Sequence, residues 1–441
     1  MNNLLMYAGT GLKLGLANTM DKNIKKVQIA YKIKTVNPVF IFGMMPLIAQ
    51  LVRAISKEEV ESSYVPFSRR EPFSGEDWLG IADEMGGVIP VNIYMVNEGQ
   101  FLTDGDVALV IETVDERYAW MAEHISTALE DHMKRMLELS EQALQMCFAI
   151  RDLVVRDSDR EGTDLTKIFL LPPEKGMSID DMQIKAALYK LVCPLESSPI
   201  SVKYIVDNYL PAKIHPNAGM SASLKSQTGS SIEERLATLL NDSANRHLNL
   251  YIDSQDDVTA FALLTKMKDT LNARHAPLVI CIKDGDILSR AKSWMNNLKE
   301  LVGLEQNSLG LEYPEKQFGL ALKISSAKEL TAFGDEMKKA GYTIDGYSFM
   351  VPMDSVYQST VSTEKVSSFF TEQWDEKYLQ NKPPLAYQVG ATTEPYSFTD
   401  ILKRLIAQID AQRPHDFKEK DEYFPGRYSG WWLKSFVLEK D

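Results

Sequence analysis

The sequence predicts an α/β fold with a mainly parallel sheet or barrel, and three observations carry that expectation. From about residue 164 the chain repeats short apolar runs, "KIFLL", "LNLYID", "PLVICI", "FGLALKI" and "GYSFMVP", with helical stretches such as "DDVTAFALLTKMKDTLNA" and "AKELTAFGDEMKKAG" between several of them. The stretch "APLVICIKDGDI", from Ala276 to Ile287, carries apolar and small residues directly to Lys283, Asp284, Gly285 and Asp286. That is how an α/β protein brings charged groups to the carboxyl end of a buried strand. Finally, 441 residues exceed one compact core, so two domains or three are expected.

In order along the chain, "KVQIAYKIKTV" alternates Val27, Ile29, Tyr31 and Ile33 with polar positions, the period of a half-buried strand. "NPVFIFGMMPLIAQLVRAIS" turns helical, with Met44, Leu47, Ile48, Leu51 and Ile55 on one stripe. "IPVNIYMVNEG" and "DVALVIETV" flank the turn "FLTDGD", which predicts a hairpin or sheet pair over 89–114. A long helical pattern follows from "ERYAWMAEH" to "AIRDLVV", its Met and Leu stripe reading as core. Near the end, "LAYQVGATTEPYSFTDILKRLIAQI" reads as strand, turn and helix, with Ser397 or Thr399 placed to cap. The tail is charged and then aromatic, and no repeat or low-complexity tract occurs.

A net charge of −13 argues against general nucleic-acid or anionic-membrane binding, and the basic runs "KNIKK" and "EKQFGLALK" are short and interrupted. Cys147, Cys193 and Cys281 lie far apart, with no C-x-x-C spacing, so neither a cysteine zinc site nor a disulfide framework is expected. The start lacks a basic n-region, and no stretch reaches the ~18 uninterrupted apolar residues of a membrane helix. A soluble protein of the reducing cytoplasm is the expectation.

The acidic cluster is the strongest local signal. Asp253, Asp256 and Asp257 follow one strand, and Asp284 and Asp286 follow another. Converging carboxylates could hold a divalent cation or raise one member's pKa for proton transfer; alternatively, Ser254 and Asp256 cap the helix beginning "VTAFALL". The six histidines, His124, His132, His215, His247, His275 and His415, form no zinc pattern, and structural or surface roles are expected. No G-x-S-x-G, G-x-G-x-x-G or Walker loop occurs. "SQTGSS", residues 226–231, reads either as an anion nest or as a polar loop with a helix cap. Adjacent Trp431 and Trp432 would point to opposite faces of a strand, so one can enter the core while the other meets a partner or subunit, or the pair simply docks the tail.

The order of these elements resembles nicotinamide phosphoribosyltransferase, a dimeric type II phosphoribosyltransferase of NAD salvage. The likeness runs through "VQIAYKIKTVNPVFIFGMMPLIAQLV", "EDWLGIADEMGGVIPVNIYMVNEGQFLTDGDVALVIETVDERYAWMAEHISTALE", "APLVICIKDGD", "LTAFGDEMKKAGYTIDGYSF" and "YSFTDILKRL". It implies an irregular α/β barrel with a β-rich α+β domain built from both chain ends. Residues 1–150 together with 380–410 would form the β-rich domain, 151–379 the barrel, and 411–441 a charged, aromatic tail. Where the family has an early Asp-Ser-Tyr-Lys, this chain has "AGTGLK" and keeps Lys13 alone; where it has an arginine-glycine-valine-serine loop, "KGMS" offers Lys175. The family's Ala-Glu-His-Ser corresponds to "AGMS", with Met220 in place of the imidazole, and a thioether cannot carry a proton. The "DSYD" turn survives as Asp253, Ser254, Gln255 and Asp256. The ribose-closing Arg-Pro-Asp-Ser-Gly-Asn becomes "CIKDGD", with Cys281 for the arginine and Lys283 for the aspartate. The phosphate-cradling glycines become "MVPMD", where Pro352 lacks an N–H and Met350 and Met353 obstruct backbone approach.

Together these replacements lead to the expectation of a noncatalytic relative that keeps the fold as an interaction or assembly scaffold, without cofactor. Its residual pocket would comprise Lys175, Asp253, Asp256, Asp284, Asp286 and Lys323; a protein partner or a homodimer would use Trp431 and Trp432. The alternative is an active enzyme that binds phosphoribosyl pyrophosphate and Mg²⁺ in a rebuilt site, the aspartates on the metal and Lys175 or Lys323 on phosphate. A nucleotide sensor without turnover is a third reading, and since members of the family that the chain resembles occur in bacteria, animals and bacteriophages, a phage protein is one expectation of origin.

Overall fold

The computed structural model describes residues 20–64, 75–158, 167–173, 176–192, 199–209, 220–224, 231–244, 246–314, 318–355, 357–371, 382–389 and 397–411. In chain order the elements are β1 (Lys26–Lys34), β2 (Val39–Phe40), α1 (Met44–Leu51), α2 (Lys57–Tyr64), α3 (Gly75–Glu84), β3 (Val91–Met95), β4 (Phe101–Leu102), β5 (Val107–Thr113) and α4 (Met121–Asp157). There follow β6 (Lys167–Leu171), α5 (Ile179–Val192), α6 (Pro199–Asn208), β7 (Met220–Ser223), α7 (Ile232–Asp242), β8 (Leu248–Tyr251), α8 (Asp257–Lys266), α9 (Lys268–Asn272), β9 (Leu278–Ile282) and α10 (Ile287–Leu301). The last are β10 (Leu304–Gln306), β11 (Glu312–Pro314), β12 (Phe318–Lys323), α11 (Ala327–Lys339), β13 (Tyr347–Pro352), β14 (Ser362–Phe370), β15 (Leu385–Tyr387) and α12 (Phe398–Ala411). No helix among the described residues is long and apolar enough to cross a membrane.

The chain divides into two compact units, one of residues 1–141, 208–211 and 358–408, the other of 142–207, 212–357 and 409–441. The division falls within the long helix α4, and β14 lies in the first unit, whereas the sequence expectation set the boundaries at 150 and 380. The structure is mixed α/β, with a parallel sheet in one unit and a separate antiparallel sheet in the other.

In the first unit, five described strands form an antiparallel sheet in the order β14-β1-β5-β3-β15. The alternation read in β1 is real: Val27, Ile29, Tyr31 and Ile33 are all fully buried in one core with Leu109 and Ile111 of β5 and Ile93 of β3. The expected 89–114 pair is β3 on β5, with short β4 between them pairing with β2. Helix α1 ends at Leu51, so its stripe comprises Met44, Met45, Ile48 and Leu51, and Ile55 enters the core from the loop beyond.

Helix α1 begins at Gly43, whose φ of 82° suits glycine and which has no side chain to cap the helix's free N–H groups. Glu98, fully buried in the loop after β3, does so from a distance: its Oε1 accepts from Met45 N–H at 2.9 Å. Its Oε2 accepts from the Tyr209 hydroxyl at 2.9 Å, and that hydroxyl accepts from Gly43 N–H at 3.0 Å. The Tyr209 ring stacks on Phe42, centroids 5.1 Å apart. Burial pushes the Glu98 carboxyl up to about 7 against the opposing pull of these donors. Between the ordinary carboxylate range and that value the folded state holds a proton that the unfolded chain has released. The Glu98 contribution to the unfolding free energy should therefore be fully present below the ordinary range and be lost as pH rises through about 7, by on the order of 3 kcal/mol. Denaturant titrations across that window should give this slope for the native chain and a flatter one for Glu98→Gln.

Candidate functional site

Six described strands of the second unit form a parallel sheet in the order β6-β13-β12-β9-β8-β7. The five runs expected to be strands supply β6, β8, β9, β12 and β13. Parallel strands place their carboxyl ends on one edge, where α/β proteins assemble ligand sites. The register sets Tyr251 beside Cys281 and Cys281 beside Ala321, so these side chains share a face. Val279, Cys281, Ala321 and Met350 form a buried apolar cluster there, with Leu171 and Tyr251 packed against it. Burial pushes the Cys281 thiol up and the Tyr251 hydroxyl up to about 12, so neither offers an anion near neutral pH.

Beyond this apolar floor lie the connections after β8 and β9. Helix α10 sends Arg290 back toward them, and the residue is buried, 7% exposed. Its Nε and Nη2 donate to the two carboxylate oxygens of Asp257 at 2.6 and 2.7 Å. Nη1 donates to the Asp284 carbonyl at 2.8 Å and to Asp284 Oδ1 at 2.7 Å, and Nη2 also donates to the Ile252 carbonyl at 3.0 Å. These bonds use all five donors of the guanidinium. Trp294 Nε1, one turn further along α10, donates to Asp257 Oδ1 at 2.8 Å. The Ser254 N–H donates to Asp284 Oδ1 at 3.1 Å, tying the two connections directly. Gly285 makes the approach sterically feasible: at φ 70° it brings the backbone so close that an added Cβ would lie 3.1 Å from Ser254 Cβ.

The expected site residues take different places around these connections. Asp286 caps α10 by accepting from Ser289 N–H at 3.1 Å, while Asp256 stands at the start of α8 without a side-chain cap bond. Helix capping therefore accounts for Asp286 and not for Asp256. Asp253 is buried and lies 3.9 Å from the exposed Lys283 amine, and Asp284 is engaged as above. Of the four aspartates expected to surround Mg²⁺, Asp253 lies near Lys283, Asp284 bonds Ser254 and Arg290, and Asp286 caps α10; among the described residues no group of three or more His, Cys, Asp or Glu side chains is placed to hold a metal ion. Lys323 ends β12 opposite Met350. Pro352 ends β13, and the next carbonyl, of Met353, accepts from the buried Lys185 amine of α5 at 2.7 Å. Burial pushes that amine down to about 8, with Asp354 opposing. Met220 opens β7 at that strand's amino end.

Ser231 caps α7 in a reciprocal capping box with Glu234, so the helix-cap reading of "SQTGSS" holds at its last residue. His124 packs edge-on to Trp78 and Trp120, His132 bonds the Gly43 carbonyl, and His247 bonds Asn249. Lys13, Lys175, Cys193, His215, His415, Trp431 and Trp432 lie outside the described residues. The first unit has a cleft of about 370 Å³ lined by Val96, Gln100, Leu102, Val107, Lys382 and Pro384, but its lysine is bound to Glu112 and lies over the Tyr94 ring.

Arg290, Trp294 and Lys185 were not singled out by sequence reasoning, and Asp257 was read only as one member of the acidic cluster. Arg290 did leave a signal: a cation in the first turn of a helix opposes the macrodipole, and a residue kept there calls for a specific acidic partner.

No family model matches the chain. It is 24% identical over 120 residues to a nicotinamide phosphoribosyltransferase of Xanthomonas campestris pv. campestris (strain 8004), a match covering 27% of this chain and 25% of that protein. The sequence homology is weak and spans about a quarter of that relative's length. Among solved structures, human nicotinic acid phosphoribosyltransferase is similar at a TM-score of 0.45 and 9% identity, over 82% of this chain and 74% of that one. A nicotinate-nucleotide pyrophosphorylase from Pyrococcus furiosus gives 0.45 and 11%, over 91% and 97%.

Two substitutions test the energetics of the Arg290 network. Arg290→Ala removes a buried guanidinium and its five hydrogen bonds to the partly exposed Asp257 and Asp284 and to Ile252, and should lower the unfolding free energy by about 1–3 kcal/mol. Gly285→Ala forces a left-handed residue against Ser254 and should cost about 1–3 kcal/mol. Urea unfolding curves that leave either variant within error of the native chain would contradict the assignment.

Proposed function

We propose that this chain is a noncatalytic phosphoribosyltransferase-like protein whose fold serves as an interaction or assembly scaffold. The observation that carries the reading is the saturation of Arg290. A sugar pyrophosphate is gripped by cations and N–H donors with capacity to spare, and the buried guanidinium at the ends of β8 and β9 has every donor engaged by Asp257, Asp284 and Ile252. Two further features support it. The Lys185 ammonium is bound to the chain's own Met353 carbonyl, and Cys281 and Met350 form apolar surface where the resemblance implies an arginine and a glycine cradle. The weak homology to a nicotinamide phosphoribosyltransferase connects the proposal to NAD salvage. A homodimer or a protein partner is the scaffold's implied counterpart.

A second reading, an active phosphoribosyltransferase of NAD salvage with a rebuilt site, is favoured by one observation. Lys283 and Lys323 stand at the carboxyl ends of the adjacent strands β9 and β12, and either could meet an anionic ligand. In that reading Mg²⁺ would arrive with phosphoribosyl pyrophosphate. A nucleotide sensor would bind through the same lysines without turnover.

Calorimetric titration with phosphoribosyl pyrophosphate and with nicotinamide mononucleotide, each with Mg²⁺, separates the three. The scaffold reading expects no saturable heat and no product. Saturable binding with turnover would establish the rebuilt enzyme, and saturable binding alone the sensor.

A further inference from the structure

The connection after β8 and the connection after β9 are joined directly and through one side chain. Residues 252–257 contribute the Ile252 carbonyl, the Asp257 carboxylate and the Ser254 amide; residues 283–286 contribute the Asp284 carbonyl and carboxylate. Only one group touches both sides with every donor: the Arg290 guanidinium, which enters from α10, thirty-three residues after Asp257 and six after Asp284. Two carboxylates, of Asp257 and Asp284, face one another across a buried guanidinium while keeping part of their own surface in water, and the cation between them offsets their repulsion. Here that cation is covalently part of the chain and cannot dissociate. Its orientation is fixed by the planar fork on Asp257 and by Trp294, which holds the same carboxylate from the next turn of α10.

From this geometry we propose that Arg290 is a resident cation that latches the two connections into a single closed unit, so that this end of the sheet is held shut by the chain itself and needs no ligand or free cation to close. The bond between Ser254 N–H and Asp284 is then a consequence of the latch, because Asp284 is presented to Ser254 while its other contacts are held by Arg290. The latch is a property of the fold and stands whether the protein is a scaffold or an enzyme. It makes one demand: the two connections must open together, whenever the grip of the guanidinium is lost or weakened.

Hydrogen exchange of the full chain read by mass spectrometry tests that demand. In the native protein, exchange of peptides covering 252–257 and 283–289 should be the same with a chelator, with Mg²⁺ or with inorganic pyrophosphate. In Arg290→Ala both peptides should exchange faster by roughly tenfold or more, while those covering β12 stay protected. Low, non-denaturing guanidinium chloride should slow both again, and equal sodium chloride should not. Asp257→Asn and Trp294→Phe, milder changes that keep the arginine, should raise exchange in both peptides together by a smaller factor; they decide the question if Arg290→Ala does not fold. Acceleration of one connection without the other, absence of any change, or native closure that depends on Mg²⁺ or pyrophosphate would each overturn the latch. None of these outcomes is the same as turnover in the titrations above, so the latch and the scaffold reading fail separately.

Discussion

A guanidinium removed from water must place five N–H groups on acceptors, and in this chain the acceptors come from the two connections that a parallel α/β sheet would otherwise leave open at its working edge. That requirement organises the carboxyl ends of β8 and β9. It fixes the side on which Asp257 and Asp284 lie, requires the left-handed glycine at 285 so that the backbones can approach, and turns Trp294 toward the same carboxylate. The charged residues after "PLVICI" therefore read as internal structure: Asp284 belongs to the network and Asp286 to its own helix, leaving Lys283 exposed to solvent.

The neighbouring ground follows from simpler packing. A strand whose inward positions are Val279 and Cys281, flanked by Ala321 and Met350, presents a surface that desolvates thiols and thioethers without offering donors. Lys185 shows the same economy at the end of β13. An ammonium that deep is tolerable because a carbonyl accepts from it, and its lowered proton affinity records what desolvation costs.

Much of the fold was legible because its signals are local. Strands within a parallel sheet announce themselves as apolar runs, and all five such runs after about residue 164 became parallel strands. The β1 alternation and the β3 and β5 pair were equally plain. The elements that escaped carry weak patterns: β7 is "MSAS", too short and polar to stand out, and β14 is "STEKVSSFF", an edge strand whose exposed faces remove the hydrophobic contrast. The site was less legible for a different reason. The pattern of aspartates located the right loops, yet Asp253 to Asp257 differ by single positions in sequence and by entire roles in space. Which carboxylate meets Arg290 depends on a helix that begins thirty residues after Asp257, and periodicity does not report such partnerships.

Glu98 and Tyr209 bear on how the polypeptide comes off the ribosome. The antiparallel unit takes residues up to 141, then a four-residue visit at 208–211, then 358–408, while the bulk of the parallel unit is translated between the first of these segments and the last. The nascent antiparallel core therefore has β1, β3 and β5 early but waits for β14, β15 and α12, and the carboxylate capping α1 waits for its phenol. Contacts this distant in sequence close slowly, so the parallel unit has the opportunity to consolidate first, with the amino-terminal strands exposed meanwhile to chaperones and to each other.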